Sequence, residues 1–117
     1  DVTGVQTCAL PIFNNLNWSK TEPAEKLEYL LTWMRAVMPT TKIIVMGLLP
    51  CTRVDVRSVN ERYRALAAKL GCTYVDCGAG MSASDTRYFV DGTHPSAAGY
   101  DRVFACLRPV VQQLRGG

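Results

Sequence analysis

The sequence predicts an α/β fold with a parallel sheet, and three observations lead to this prediction. Segments with a helical spacing of apolar residues alternate with short β-branched segments, the order expected of an α/β domain. The run from Lys42 to Leu49 is apolar on both faces, which is typical of a strand covered by helices. Hydrophobic residues make up 48% of the 117 residues and charged residues 20%, a composition that fits one globular domain or part of one.

Three segments are predicted to be helices because their apolar residues recur every three or four positions. The first covers 22–38. The second covers 56–70 and is followed by Gly71, a residue suited to the left-handed conformation after a helix end. The third begins after Ser96, which is a favourable N-cap residue. The stripe of this third helix that we expect to face the core consists of Tyr100, Val103, Phe104, Leu107, Val111 and Leu114.

Only two segments are convincing strands. The first is predicted over 42–49, before Pro50, and the second is a short strand over 73–76. Residues 77–95 are rich in Gly, Ser and Asp, and so long an irregular stretch is usually functional or disordered. A parallel sheet of two strands cannot bury both of its faces well. The pattern therefore indicates the C-terminal half of a larger domain.

The first thirteen residues are predicted to be foreign to this domain. Residues 1–12 show neither helical nor strand periodicity, and they resemble the translated adapter sequence that sometimes contaminates assembled genes. The alternative is a genuine extended segment in which 9–13 is the remnant of a strand. On the first interpretation residues 14–117 are the C-terminal portion of one domain. No secretory signal is visible, so the sequence leaves the cellular location open.

Charge and cysteine content exclude several classes of function. Thirteen basic and ten acidic residues give a net charge of +3 without a basic cluster, which argues against binding to nucleic acid or lipid. The longest apolar run, 43–49, is far shorter than the roughly 20 residues of a membrane-spanning helix. Five cysteines and one histidine offer little material for a zinc site, and we expect no metal and no cofactor. The cysteines are either buried small hydrophobes or include a Cys72–Cys77 disulfide.

The segment from Asp91 to Tyr100, Asp-Gly-Thr-His-Pro-Ser-Ala-Ala-Gly-Tyr, is the most informative for chemistry. An aspartate three residues before a histidine in a tight turn can hold the Nδ1–H of the ring. The other ring nitrogen, Nε2, is then free to accept a proton as a general base. Pro95 restricts His94 to an extended backbone, so the turn is stiff. The alternative interpretation is an ordinary surface turn that precedes a helix cap.

This segment resembles the C-terminal block of the SGNH (GDSL-type) hydrolases, in which Asp-x-x-His-Pro is followed by small residues, Gly and Tyr. Asn14-Asn15-Leu16, the next helix and the 42–50 strand ending in Gly-Leu-Leu-Pro are similar to the region after the third block of that family. The resemblance covers about 14–115. It implies the C-terminal half of a flavodoxin-like, three-layer α/β/α SGNH hydrolase fold. The second helix, which carries Arg57 and Asn60, looks most like the branch that contains the platelet-activating-factor acetylhydrolase catalytic subunits.

The resemblance assigns roles to three residues. His94 would be the general base, Asp91 would orient it, and Asn14 would donate its side-chain amide to the oxyanion of the tetrahedral intermediate. Asn14 can also be explained as a turn residue between a strand and a helix. The nucleophile of the family belongs to a Gly-Asp-Ser block that this sequence does not contain. The five serines, none of which has that context, are Ser19, Ser58, Ser82, Ser84 and Ser96.

The resemblance thus implies that the parent protein is a serine ester hydrolase that removes an acyl group through an acyl-enzyme. Its binding partner would be a small acyl ester, and self-association stays open. We expect the 117-residue chain alone to be inactive because it lacks the nucleophile. Two alternatives are a non-catalytic α/β binding or assembly domain and an acyltransferase with the same machinery. The Asp91–His94 pair argues against the first, because a binding domain has no need of it.

Overall fold

A computed structural model describes residues 5–8 and 22–116 of the chain. Strands and helices alternate along these residues, as the sequence predicts. The predicted helices and the two predicted strands are all present, and their ends shift by a few residues. The elements are β1 (Val5–Cys8), α1 (Glu22–Val37), β2 (Lys42–Met46), α2 (Arg57–Lys69), β3 (Thr73–Val75) and α3 (Ala97–Gly116).

The three strands form one parallel sheet in the order β1-β2-β3. Val5 pairs with Lys42, and Ile44 pairs with Thr73. The expectation of only two strands is therefore wrong, because a short strand lies within the 1–13 segment and pairs with β2 along its length. The foreign origin of that segment is a separate matter and stays a prediction.

Helices α1 and α2 cover one face of the sheet and form the main core with it. Leu27 and Leu31 of α1 and Tyr63 of α2 are almost fully buried, and they belong to one cluster with Ile43 and Val45 of β2. Ile44, between these two strand residues, is also fully buried but does not belong to that cluster. Because successive side chains of a strand point to opposite faces, β2 is covered on both sides. This explains its continuous apolar sequence.

The apolar stripe of α3 is largely uncovered, contrary to the expectation that it faces the core. Of the six stripe residues only Val103 is buried. Tyr100 and Phe104 stack on each other, with ring centroids 6.4 Å apart, and about half of each side chain is exposed. Helix α3 contacts the sheet at β1, which is an edge strand of the sheet described. The described residues provide no further strand against which this stripe could pack.

Two predicted helix boundaries are confirmed by their hydrogen bonds. Gly71 after α2 has a φ of 69°, and the Cys72 N–H donates to the carbonyl of Ala67 at 2.7 Å, which closes the helix end. At the start of α3 the Gly99 N–H donates to the Ser96 hydroxyl at 3.2 Å. Ser96 is therefore the N-cap that fixes where α3 leaves the preceding loop.

The cysteines at 72 and 77 have different neighbours and are both free thiols. The Cys72 sulfur faces the guanidinium of Arg35, whereas the buried Cys77 thiol contacts Cys106 of α3. Burial, together with hydrogen bonding to Cys106, raises the pKa of Cys77 to about 12. A Cys72–Cys77 disulfide is thus not formed, and Cys77 has the character of a buried apolar residue.

Candidate active site

Asp91 and His94 are brought together by one tight turn. The ring Nδ1 of His94 lies 2.7 Å from Oδ2 of Asp91. The other carboxylate oxygen, Oδ1, accepts two backbone hydrogen bonds, from His94 N–H at 2.8 Å and from Thr93 N–H at 3.0 Å. Both oxygens of the carboxylate are therefore engaged, and the aspartate cannot rotate away from the ring without losing three hydrogen bonds.

The backbone on either side of the turn is paired with itself. The Val90 N–H donates to the His94 carbonyl, and the Ser96 N–H donates to the Tyr88 carbonyl, both at 2.8 Å. Phe89, in the middle of the first arm, is almost fully buried and anchors the arm in the protein. The site is therefore carried on a short antiparallel pairing that is fixed at one side by a buried aromatic ring. The sequence prediction of a stiff turn agrees with this arrangement.

The hydrogen bonds also fix which atom of the pair carries the proton. Donation from His94, through its backbone and then its ring, and from the Thr93 backbone lowers the pKa of Asp91 to about 2. The carboxylate is consequently ionised near neutral pH and can only accept, so that a neutral His94 ring carries its hydrogen on Nδ1. The Nε2 atom then has a free lone pair, as a general base requires.

The lowered pKa of Asp91 predicts how the stability of the folded chain changes in acid. Because the folded-state pKa of Asp91 is about 2 and its ordinary value is 3.8, the ionised group stabilises the folded chain above pH 3.8. That stabilisation should be lost as the pH falls from 3.8 towards 2. Chemical unfolding measured across this range should show a steeper loss of stability for the native chain than for Asp91→Asn. Parallel curves for the two proteins would contradict the hydrogen-bonded carboxylate.

The side chain of His94 lies open at the surface, with 73% of it exposed. Among the described residues no serine contacts it. Ser96 donates to the Arg87 carbonyl at 2.6 Å and caps α3, while Ser82 and Ser84 bond to each other at 2.9 Å. Ser19 and the predicted oxyanion donor Asn14 lie outside the described residues, so their positions stay predictions.

A cleft of about 610 Å³ lies beside the turn, at the carboxyl ends of β2 and β3. One wall consists of residues from 48–57 and the other includes Asp76 and Met81. In parallel sheets, ligands commonly bind at this end of the strands. The volume falls in the range of small-molecule sites. The cleft therefore has the size of a small-molecule site, and two of its lining residues, Cys51 and Thr52, contact the turn that carries His94.

Side chains of α2 shape this cleft. The amide of Asn60 clamps the backbone of Leu48: its Oδ1 accepts from the Leu48 N–H at 2.7 Å and its Nδ2 donates to the Leu48 carbonyl at 3.0 Å. The Arg57 guanidinium and the Asp55 carboxylate form a two-pronged ion pair at the rim, with contacts of 2.9 and 3.1 Å. Asn60 thus fixes the path of the chain where it leaves β2.

The loop after β2 lines the cleft and also contacts the turn that carries His94, which the sequence analysis did not predict. The Thr52 N–H donates to the Gly92 carbonyl at 2.9 Å, and the Cys51 sulfur lies 3.5 Å from the hydroxyl of the buried Thr93. No local pattern in the sequence signals these contacts, because about forty residues separate the two segments. The turn is therefore fixed by a loop from another part of the chain as well as by its own hydrogen bonds.

Residues 13–102 match the family of GDSL-like lipases and acylhydrolases. The chain belongs to this family. The match covers α1, α2, β2, β3 and the turn that carries Asp91 and His94. Membership confirms the predicted hydrolase resemblance at the level of the family. No curated protein matches the sequence.

Several solved structures share the fold of this GDSL-like chain. An acetyl esterase, solved as a serine-to-alanine mutant with an acetate ion, superposes with a TM-score of 0.80 at 21% identity; 95% of this chain covers 58% of that protein. A carbohydrate esterase of family 3 from Talaromyces cellulolyticus gives 0.75 at 22% identity, with the same coverage. A Streptococcus pneumonia protein, provisionally described as a platelet activating factor, gives 0.71 at 19% identity, where 81% of this chain covers 53% of that one. The predicted α/β hydrolase fold is confirmed, and the chain spans little more than half the length of these neighbours.

Two features of other protein classes are missing from the part of this GDSL-like chain that the structure describes. Within residues 5–8 and 22–116, no helix has the length and apolar character needed to cross a bilayer. The same residues contain no group of three or more His, Cys, Asp or Glu side chains arranged to hold a metal ion.

Proposed function

We propose that the protein to which this chain belongs is a serine ester hydrolase in which the Asp91–His94 pair acts as the general base. The observation that carries the proposal is the 2.7 Å contact between Asp91 Oδ2 and His94 Nδ1. It supports a histidine whose Nε2 can take a proton from a serine hydroxyl. Family membership supports ester hydrolysis as the reaction class.

In the proposed mechanism, the serine hydroxyl loses its proton to His94 Nε2 as its oxygen attacks the ester carbonyl. Asp91 stabilises the resulting imidazolium, because its ionised carboxylate lies against the Nδ1–H. His94 then returns the proton to the departing alcohol, which leaves an acyl-enzyme. Water attacks that acyl group with His94 again as the base, so the carboxylic acid is released and the serine is regenerated.

Two parts of the machinery are proposed from residues beyond the described site. The nucleophile would come from a Gly-Asp-Ser block in the natural sequence preceding Asn14, and the Asn14 amide would donate to the oxyanion. Loss of one such donor commonly costs about 10²–10³ in rate. The family match begins at residue 13, so residues 1–12 lie outside it, and their foreign origin is proposed from the sequence alone. The chain alone would then be inactive.

The substrate is proposed to be an ester of a short acyl group. Structural neighbours are described as an acetyl esterase and a peptidoglycan O-acetylesterase, the latter with a TM-score of 0.75 at 18% identity. These likenesses support the choice of acetyl esters as the first substrates to test. The platelet-activating-factor acetylhydrolase branch is proposed on the 42–50 segment and on Arg57 and Asn60 of α2. Both of these side chains line the cleft.

Recovery of the full-length transcript tests this function. We expect a Gly-Asp-Ser block ahead of Asn14, and we expect the complete protein to hydrolyse p-nitrophenyl acetate and to be labelled by a fluorophosphonate. The 117-residue chain should do neither. A complete protein that keeps Asp91 and His94 but shows neither hydrolysis nor labelling would instead be a binding domain. Product analysis with a competing alcohol distinguishes hydrolysis from acyl transfer.

A further inference from the structure

We propose that Thr52 is a positioning residue for the Asp91–His94 pair and acts on it through the peptide unit between Gly92 and Thr93. This inference rests on the proposed function, since it assigns a supporting role for the general base. Thr52 lies in the loop after β2 and acts on the pair through the turn rather than by direct contact. Its contacts are with the carbonyl and the Cα of Gly92, in the middle of the turn.

The carbonyl oxygen of Gly92 accepts two hydrogen bonds from Thr52. The backbone N–H of Thr52 donates to it at 2.9 Å, and the Oγ1 hydroxyl donates to it at 3.3 Å. Two donors from one residue fix the direction of this carbonyl more firmly than one donor does. The carbonyl cannot rotate without breaking both bonds.

A planar trans peptide transmits this constraint to the carboxylate. In such a unit the carbonyl of Gly92 and the N–H of Thr93 point in opposite directions. When Thr52 holds the carbonyl on one side, the Thr93 N–H must point to the other side, where it donates to Asp91 Oδ1 at 3.0 Å. The next N–H, of His94, donates to the same oxygen at 2.8 Å. Thr52 therefore sets the orientation of the carboxylate that holds the His94 ring.

Close packing supports the same assignment. Gly92 has a φ of 79°, a conformation that favours glycine, and its Cα faces Thr52 so closely that a Cβ there would lie 2.5 Å from Thr52 Oγ1. The Thr93 side chain, 6% exposed, reaches the same loop through Cys51. The loop thus contacts two successive residues of the turn, on either side of the peptide that carries the constraint.

Thr52 is itself exposed and also lines the cleft. Substitutions at exposed positions usually change the free energy of unfolding little. A purely structural role would therefore leave the site unchanged as long as the chain is folded. A positioning role predicts that the ionisation of Asp91 responds to the Thr52 hydroxyl even when overall stability does not.

The test uses the 117-residue chain and carboxyl NMR titration of Asp91. We expect Thr52→Val, which keeps the shape and removes the hydroxyl, to raise the pKa of Asp91 from about 2 by roughly half a unit. Thr52→Ser, which restores a hydroxyl, should return it to the native value. Thr40→Val, at an exposed threonine after α1, is the matched control and should have no effect. An Asp91 pKa that is the same in Thr52→Val as in the native chain would overturn the proposal.

If Thr52→Val fails to fold, two further measurements test whether Thr52 positions the Asp91–His94 pair. In the native chain, a coupling across the hydrogen bond between Thr52 N and the Gly92 carbonyl carbon is expected, and its absence would overturn the proposal. Thr52→Ala should raise the Asp91 pKa as valine does. Neither readout involves ester turnover, so a failure here leaves the hydrolase proposal standing. A complete protein that is inactive, in turn, would leave the role of Thr52 in the turn intact.

Discussion

Replacement of His94 by alanine in the complete protein should lower ester hydrolysis by at least about 10³-fold. The physical reason is that the proposed mechanism assigns both proton transfers to this ring, and Asp91 is poorly placed to replace it. Asp91 is ionised near neutral pH, but it is held by three hydrogen bonds within its own turn. Without the ring, the serine hydroxyl would have to lose its proton to water. The measurement is kcat/KM for p-nitrophenyl acetate at fixed pH.

Asp91→Ala provides the graded comparison for this prediction. It leaves the ring in the site but removes the carboxylate that fixes the Nδ1 proton and stabilises the imidazolium, so the loss should be smaller than for His94→Ala. The 117-residue chain serves as a negative control, because its background rate should be the same with and without His94. Ester turnover by the purified chain would show that the nucleophile lies among residues 14–117 after all.

The local part of the site could be predicted from the sequence because its interactions are local. Asp91 and His94 are three residues apart, Pro95 restricts the backbone between them and α3, and Ser96 caps that helix at the predicted position. The hydrogen bonds that hold the Asp91 carboxylate join residues at most three apart. Local spacing and turn chemistry are sufficient to predict such contacts.

The parts that were missed depend on packing between distant segments. Thr52 meets Gly92 only because the ends of β2 and β3 bring their loops to one edge of the sheet, and no periodicity reports which loop lies beside which. The Cys77 thiol meets Cys106 for a similar reason, whereas the sequence left two alternatives open, buried small hydrophobes or a Cys72–Cys77 disulfide. Helical periodicity predicts which residues form the apolar stripe of α3, but it does not predict which part of the protein packs against that stripe.

The apolar stripe of α3 is largely exposed and β1 is an edge strand of the described sheet. Both features agree with the finding that the chain covers only part of its structural neighbours. Those neighbours are longer, and the chain spans 53–58% of three of them. In a longer domain, Tyr100 and Phe104 would be available to pack against the additional chain. The exposure of these two rings is therefore an expected consequence of the proposal that residues 14–117 form the C-terminal portion of one hydrolase domain.

Gly99→Ala should lower the free energy of unfolding by about 2–3 kcal/mol. Gly99 is buried in the first turn of α3, and an added Cβ would lie well within 3.0 Å of the Tyr88 carbonyl oxygen. That oxygen belongs to the backbone and accepts the Ser96 N–H at 2.8 Å. It cannot move without opening the pairing that supports the turn. The clash should therefore outweigh the gain of roughly 1 kcal/mol that alanine normally brings to a helix.

Gly116→Ala is the matched control for this prediction, because Gly116 also lies in α3. A Cβ at Gly116 would have no neighbouring atom within 4 Å. We expect this variant to lose less than about 1 kcal/mol. Urea unfolding gives the two values, and the backbone spectrum shows whether the resonances of residues 88–96 shift in Gly99→Ala alone. Equal losses in the two variants would show that the Tyr88 carbonyl moves away from an added Cβ at little cost, so that the arm carrying His94 is less firmly fixed than its hydrogen bonds imply.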